Sequence, residues 1–469
     1  MPEETISCVV PDMLENSQDD GEKTTCGSSS DSDLKVSGEN SLGRQKLSTF
    51  KTYMNLVTVV IGAGIMALPQ LPVKGGWVFS PLILLVVMLV AIESSLQMWK
   101  AFMADRASHL GPCSMSTYED LGREAFGPMG QILAALVVNL YLFGLYASYA
   151  VLVGMQLANV AQIWDKQLWI LAMYPMFIML ALMPDLSALS KLVPFGMLAS
   201  VGTAVFISCK SLLDASHWES WELPEGEELH SPWPKEPTAL GLVLATCIGA
   251  ITFQTVTPAT IRDMKKPEQF PLAMTAAVLT CGLLYMAVLC CGYFGYGNFI
   301  QQDVVQSMAY SPASFDQAFN VPSQDWTGAA THWVLPVMAT MVLINITLSM
   351  PLNAMSIFYS IQDFKHFASY VKPGTWANWA MRVVVVTFAV AIALCVPQFT
   401  LVYGFFCAAF APVVSLVFPL LFAGAVLRRA GKRQTWLRAG LHGFIMILSV
   451  FCMVAGLYGT ILDFFGISA

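Results

Sequence analysis

Gly62-Ala63-Gly64-Ile65-Met66-Ala67-Leu68-Pro69 lies in the middle of the first hydrophobic segment of this chain. A helix in lipid has no water to replace the backbone hydrogen bonds lost at two glycines and a proline. Such a break is tolerated only where the freed groups are buried in protein or line a cavity. In secondary transporters the unwound backbone of a broken helix holds the solute near the bilayer midplane. The stretch therefore marks a place for a small polar solute, provided that the rest of the chain is a membrane bundle.

Composition answers that condition. Hydrophobic residues make up 56% of the 469 positions and charged residues 12%, with a mean hydropathy of +0.61. A soluble domain carries about 25% charged residues, so this is an integral membrane protein of the all-α class. Eleven segments are apolar for long enough to cross a bilayer: 52–72, 78–102, 129–160, 168–184, 192–213, 239–261, 272–296, 332–360, 378–396, 399–426 and 439–463. The polar, acidic start of the chain does not read as a cleavable signal. The predicted division is a disordered tail rich in Ser and acidic residues, 1–47, and a transmembrane domain, 48–469. In the tail, Ser28-Ser29-Ser30-Asp31-Ser32-Asp33 is either a phosphorylation target or merely solvated.

Charge predicts the direction of the spans. With a cytoplasmic amino terminus and alternating spans, 18 of the 24 basic residues face inward, among them Lys51, Arg106, Arg123, Arg262, Arg382 and Arg438. Lys23 and Lys35 lie in the tail, and only Lys74, Lys166, Lys210 and Lys235 fall outside. The positive-inside rule favours this arrangement. The loops 216–238 and 298–329 are acidic and read as solvated outer loops. Eight of the eleven cysteines lie within spans, which argues against a disulfide framework. No metal-ligand spacing occurs, and no cofactor is expected.

Two places concentrate polar groups inside apolar runs. At the first break, unwinding frees the amides of Ala63, Gly64 and Ile65, and Gly62 and Gly64 let a ligand approach the backbone. A helix amino terminus attracts a carboxylate, although glycines also serve close helix packing. The sixth span is interrupted between Gly249 and Pro258, and Thr252, Phe253, Gln254 and Thr255 lie in the interruption. Gln254 and Thr255 suit an amino or carboxylate group and Phe253 suits a cover, while the threonines can instead bond to their own helix. Paired interruptions five spans apart point to an inverted-repeat transporter.

Other candidates are weaker. Asn139 and Tyr146 share a face of the third span. Thr58, Asn345, Thr347 and Ser349 supply oxygens for a cation between the first and eighth spans. Glu93 and Lys100 lie near the inner end of the second span, shallow enough to reach water, and His442 reads as interfacial. No deep carboxylate stands out as a proton carrier.

The motifs resemble those of the amino acid/auxin permease family. Asn55-Leu56, then Ile61 to Pro69, then Gly75-Gly76-Trp77 is similar to its first-span signature. Tyr118 to Gly127 resembles the loop between spans two and three. Met264-Lys265-Lys266-Pro267, Phe270-Pro271 and Gly292 to Gly297 resemble the span six to seven region. The likeness covers about residues 48–463. It implies a LeuT-like fold of two inverted five-span repeats plus an eleventh span, and amino acid transport by alternating access. Gly62, Ala63, Gly64 and Ile65 would cradle the carboxylate, and Thr252 to Thr255 would meet the amino group or side chain. Thr252-Phe253-Gln254 departs from the glycines and histidine common there, which leaves the substrate open. Thr58 stands where many sodium-coupled relatives have asparagine, which favours protons. The alternatives are a sodium-coupled transporter and a non-transporting receptor or scaffold. An enzyme is not expected, because no His, Asp or Glu cluster sits in the spans at catalytic spacing. The expected partners are an amino acid, a coupling ion and the bilayer of the plasma membrane or a vacuolar or lysosomal membrane, with no nucleic acid.

Overall fold

Where the helices stop matters more here than where they run. A computed structural model describes residues 47–62, 64–108, 115, 117–161, 163–183, 193–219, 228–234, 236–301, 304–308, 315–316, 321–322, 334–362, 370–372, 374–396, 398–432 and 434–465. The tail expected to be disordered, apart from its last residue Leu47, lies outside them, as do Ala63 and much of the two acidic loops.

The first helix, Thr49–Val60, starts at Ser48, whose hydroxyl accepts from the Lys51 N–H at 3.3 Å. It ends at the glycine pair, and the chain resumes as Gly64–Ala67, a 3₁₀ turn Leu68–Gln70 and the helix Leu71–Ser108. That last helix is divided at Gly76, whose φ of 77° is the left-handed region open to glycine. A Cβ there would also lie 2.6 Å from the Trp233 carbonyl carbon. Residues up to Gly76 complete the first crossing, and the remainder forms the second. The helix Tyr118–Ala161 is divided in the same way at Phe126 and Gly127, where φ is −134° and 69°. Its first two turns form a separate helix beside the third span. Tyr118 Oη donates to Val414 O at 2.6 Å, and Arg429 donates to the carbonyls of Glu124 and Ala125. Both ends of this short helix are thus held by the tenth span.

Nine helices among the described residues are long and apolar enough to cross a membrane. Lys166–Leu182 adds a shorter tenth crossing, and Thr49–Val60 with the turns after it makes the eleventh. The later spans are Val193–Glu219, Ala239–Ile251 continued by Thr257–Asp263, Phe270–Tyr296, Val334–Gln362, Trp376–Cys395, Phe399–Arg429 and Trp436–Phe464. The tenth contains a π turn, Val413–Val417. Outside the helices, Phe315–Asp316 pairs with Val321–Pro322 in a two-residue antiparallel ladder.

Packing repeats with an offset of five spans. Span two packs on six as seven packs on one; two packs on ten as seven packs on five; ten packs on three as five packs on eight. Spans two and seven, three and eight, and four and nine are self-paired across the centre. This is the contact pattern of two intertwined five-helix units. The eleventh span lies outside the repeat against six and ten.

One charge is buried where spans four, eight and nine meet. Arg382, 5% exposed, donates through Nη1 to Ala181 O at 2.9 Å and Met183 O at 3.0 Å, and sits 4.9 Å from the centre of the Phe358 ring. It satisfies carbonyls that the end of a helix leaves free. Arg382→Met should therefore destabilise the bundle by about 1–3 kcal/mol, seen as a lower melting temperature in detergent. An unchanged melting temperature would remove this role.

Candidate functional site between two broken helices

Two carbonyl-rich helix ends meet at the centre of the bundle. The first helix closes with Ile61 N–H donating to Val57 O at 2.9 Å and Gly62 N–H donating to Val60 O at 2.8 Å. The sixth closes with Thr252 N–H donating to Gly249 O at 3.3 Å. Carbonyls at both breaks also accept from tyrosine hydroxyls. Tyr285 Oη lies 2.6 Å from Val60 O and 3.3 Å from Ala250 O, so one hydroxyl serves both breaks. Tyr141 Oη donates to Gly249 O at 3.1 Å.

The two breaks are in direct contact. A Cβ added to Gly64 would lie 2.8 Å from Ala250 Cβ and 2.9 Å from Ala250 Cα, and 2.8 Å from Tyr403 Oη. Gly64 is therefore required by backbone approach, whatever binds nearby. Among the described residues its N–H finds no acceptor. Near Leu47 and Asp263 the same two spans are tied again. Leu47 N–H donates to Asp263 O at 2.8 Å and Lys265 N–H donates to Leu47 O at 2.9 Å, forming a short parallel bridge.

Between the breaks lies a cavity of about 70 Å³. By the space a single water occupies, this holds about five waters. Its polar lining comes from Thr58, Tyr141, Tyr149, Thr252, Thr255, Ser349, Asn353, Ser356 and Tyr403, with backbone from Gly62, Gly64 and Gly249. Among the described residues the lining contains no Asp, Glu, Lys, Arg or His. Thr58 and Val59 precede the first break, Thr255 and Val256 follow the sixth, and Asn353 and Ser356 lie late in the eighth span. The cavity thus extends toward the end of the bundle where the first span begins.

Of the residues singled out from sequence, Gly62, Gly64, Thr252 and Thr255 line this cavity, as do Thr58 and Ser349. Thr252 Oγ1 donates to Ile248 O at 2.7 Å, and its oxygen is hydrogen-bonded to Ser415 Oγ on the π turn. Ala63 lies outside the described residues. Ile65 and Phe253 are buried in the apolar core away from the lining. Gln254 faces the second span: its Oε1 accepts from Phe253 N–H at 3.0 Å, and its Nε2 lies 3.3 Å from Ser94 Oγ and 3.4 Å from Ser95 Oγ. Asn139 donates to Ser360 Oγ at 2.8 Å, which in turn donates to Glu119 Oε1 at 3.0 Å. Tyr146 is buried outside the lining, and its hydroxyl has no partner among the described residues. Asn345 Oδ1 accepts from Ser349 Oγ at 3.4 Å, and Thr347 is half-buried outside the lining.

The third span presents Tyr141, Leu142, Leu145 and Tyr149 to the cavity, a face set by the i, i+4, i+8 rise of a helix. Tyr285, which bonds to both breaks, and Tyr403, whose hydroxyl lies beside Gly64 and Gly249, carried no signal beyond being tyrosines in apolar runs. Asn353 and Ser356 extend the polar face of Ser349 by helical spacing, and that periodicity was available in the sequence.

A five-offset bundle whose first and sixth spans break around a neutral polar cavity is the architecture of a secondary carrier. Residues 45–462 match the family described as "Transmembrane amino acid transporter protein", and the chain belongs to it. Amino acid transporter AVT1I of Arabidopsis thaliana is 30% identical over 262 residues, which is 54% of this chain and 60% of that protein. Amino acid transporter AVT1D of Arabidopsis thaliana is 23% identical over 471 residues, covering 96% of this chain and 76% of that protein. Vacuolar amino acid transporter 4 of Saccharomyces cerevisiae is 23% identical over 273 residues, 56% of this chain and 36% of that protein. These relatives are named as transporters, not enzymes. Among solved structures, Mhp1, a nucleobase-cation-symport-1 family transporter in a closed conformation with bromovinylhydantoin bound, aligns with a TM-score of 0.51 at 11% identity, covering 89% of this chain and 92% of that one. That likeness is one of fold, the LeuT-like arrangement.

Proposed function

We propose that this chain carries small zwitterionic amino acids across its membrane by alternating access, driven by protons. The observation that supports this most directly is the polar, uncharged cavity at the contact of the two helix breaks. A net-neutral zwitterion fits a lining of dipoles without formal charge, because neither of its own charges meets a like charge. The free Gly64 amide suits the carboxylate, and the hydroxyls with Asn353 suit the ammonium group. Room for about five waters corresponds to the heavy atoms of a small amino acid.

Protons are favoured over sodium by the oxygens themselves. Thr58 Oγ1 donates to Met54 O at 2.9 Å, and Thr347 does not join Thr58 and Ser349 at the cavity. The charge pattern supports a cytoplasmic amino terminus, so the cavity faces inward in this conformation. Tyr149 and Tyr403 then stand on the outer side, and rocking of the first and sixth spans would exchange the two accesses.

Reconstituted protein with an imposed pH gradient should accumulate a labelled small amino acid above equilibrium, and a protonophore should abolish the accumulation. Accumulation that requires sodium and fails in choline would replace the proton by sodium. Binding without flux would instead make the chain a receptor.

A further inference from the structure

Glu93 reads as a shallow charge near the inner end of the second span, and His442 as an interfacial residue. The fold joins them at depth. Glu93 Oε1 lies 3.2 Å from His442 Nε2, 3.2 Å from Arg438 Nε and 2.6 Å from Gln97 Nε2. The neighbouring residues of the same turn, Ser94 and Ser95, are the ones that meet Gln254 at the sixth-span break. Side-chain exposure falls from 44% at Arg438 through 17% at Glu93 to 9% at His442, so the cluster opens at the Arg438 end.

We infer that Glu93 and His442 form the proton-binding site of this carrier, and that Ser94, Ser95 and Gln254 link it to the substrate cavity. This rests on the proton-driven reading above. Histidine is the side chain that changes charge between pH 5 and 8. Taking a proton on the imidazole turns a hydrogen bond between a neutral ring and the Glu93 carboxylate into an ion pair, which tightens the bond. Losing it leaves the carboxylate to Arg438 and Gln97.

The surrounding charges permit this exchange. Arg438 on the eleventh span and Lys100 on the second are the nearby cations, and they oppose a further positive charge that Glu93 favours. Asp105 lies further along the second span. The sixth, seventh and tenth spans pack against these two helices. Their charged residues are placed elsewhere: Arg262 pairs with Asp263 at 2.9 Å, Arg429 holds Glu124 and Ala125, and Glu268 and Arg428 are exposed at helix ends. Reversible protonation is what coupling requires.

The mechanical link is one turn of helix. Ser94 Oγ donates to Ala91 O at 3.1 Å, leaving its lone pairs for the Gln254 amide. The other end of that amide accepts from Phe253 N–H and so holds the unwound segment, beside which Thr252 lines the cavity. Drawing Glu93 toward or away from the eleventh span rotates Ser94 and Ser95 with it. The break then moves as the proton comes and goes.

Wild type, His442→Gln and His442→Arg should be compared in proteoliposomes by two measurements. One is pH-gradient-driven accumulation, and the other is substrate exchange at equal pH on both sides. His442→Gln fixes an uncharged side chain and His442→Arg a charged one that still donates to Glu93. Both variants are expected to lose driven accumulation at least tenfold and to show rates independent of pH from 5.5 to 7.5, and His442→Arg, fixed in the charged state, is expected to keep measurable substrate exchange. Driven accumulation or a pH profile like that of wild type in either variant overturns the assignment. So does loss of exchange in both, since the proposal requires the substrate site to work without titration. Wild-type exchange without any pH-driven accumulation would instead defeat the proton-driven reading itself.

Discussion

Gly64→Val is expected to abolish uptake while leaving membrane insertion intact. The reason is steric before it is chemical. The Cβ alone would lie 2.8–2.9 Å from both Cα and Cβ of Ala250, and only one of its close neighbours, the Tyr403 hydroxyl, is a movable side-chain end. Backbone must shift at the junction of the two breaks, and overpacking of this kind costs about 1–3 kcal/mol before the two methyls are placed. A displacement of about 1 Å at a positioning site lowers rates about a hundredfold. Gly62→Ala provides the internal comparison. Its added carbon meets only Tyr149, at 2.8 Å from the hydroxyl, and a side-chain tip yields more readily than a helix. The milder variant should keep measurable transport. Equal uptake by Gly64→Val and wild type, at equal surface expression, would sink the proposal that this contact sets the site.

Tyr285→Phe carries the second large expectation. Its hydroxyl is within reach of Val60 O and Ala250 O together, at 2.6 and 3.3 Å, and the residue is fully buried. Phenylalanine keeps the ring and removes the donor, so Ala250 O loses its tyrosine partner while Val60 O keeps the Gly62 N–H. An unsatisfied buried carbonyl costs about 1–3 kcal/mol, and a cost near 1.4 kcal/mol is a tenfold change in an equilibrium. Uptake should therefore fall about tenfold or more, together with the melting temperature in detergent. Tyr141→Phe removes one donor from one break, at Gly249 O, and should do less. Initial uptake rates for the two variants, normalised to folded protein, test the order. A larger defect in Tyr141→Phe would mean that the two breaks are not coupled through Tyr285.

These expectations concern contacts that the sequence leaves unmarked. The spans themselves were legible, because lipid demands about twenty apolar residues per crossing whatever they pack against. The breaks at Gly62 to Pro69 and Gly249 to Pro258 were legible for the same reason. Family likeness was legible in short motifs such as Gly75-Gly76-Trp77, where Gly76 proves to hold a left-handed φ of 77°. Of the five-span repeat only the paired breaks were visible, although the helix contacts obey it. A repeat of backbone packing constrains directions and distances, while in lipid most apolar side chains fill the interfaces equally well.

The rotation of each helix was equally hidden. On the third span, Asn139 and Tyr146 share one face and Tyr141 and Tyr149 another, and the span carries polar groups on both. Which face meets the cavity depends on neighbours more than a hundred residues away. Gln254 shows the same limit. A polar side chain inside a break reads as a ligand for substrate, yet it is occupied by Phe253 N–H and the serines of span two.

The sequence by itself determined the membrane setting, the number and limits of the spans, the two breaks and the family. Each of these follows from local chemistry: the absence of water in lipid, and glycine and proline at fixed positions. Only the tertiary structure decided that Gly64 rests against Ala250, that Tyr285 serves both breaks, and that Glu93 reaches His442 across 349 positions of chain. Those contacts depend on how helices turn against one another, and that turn is set by the sum of many weak packing interactions with no local signature.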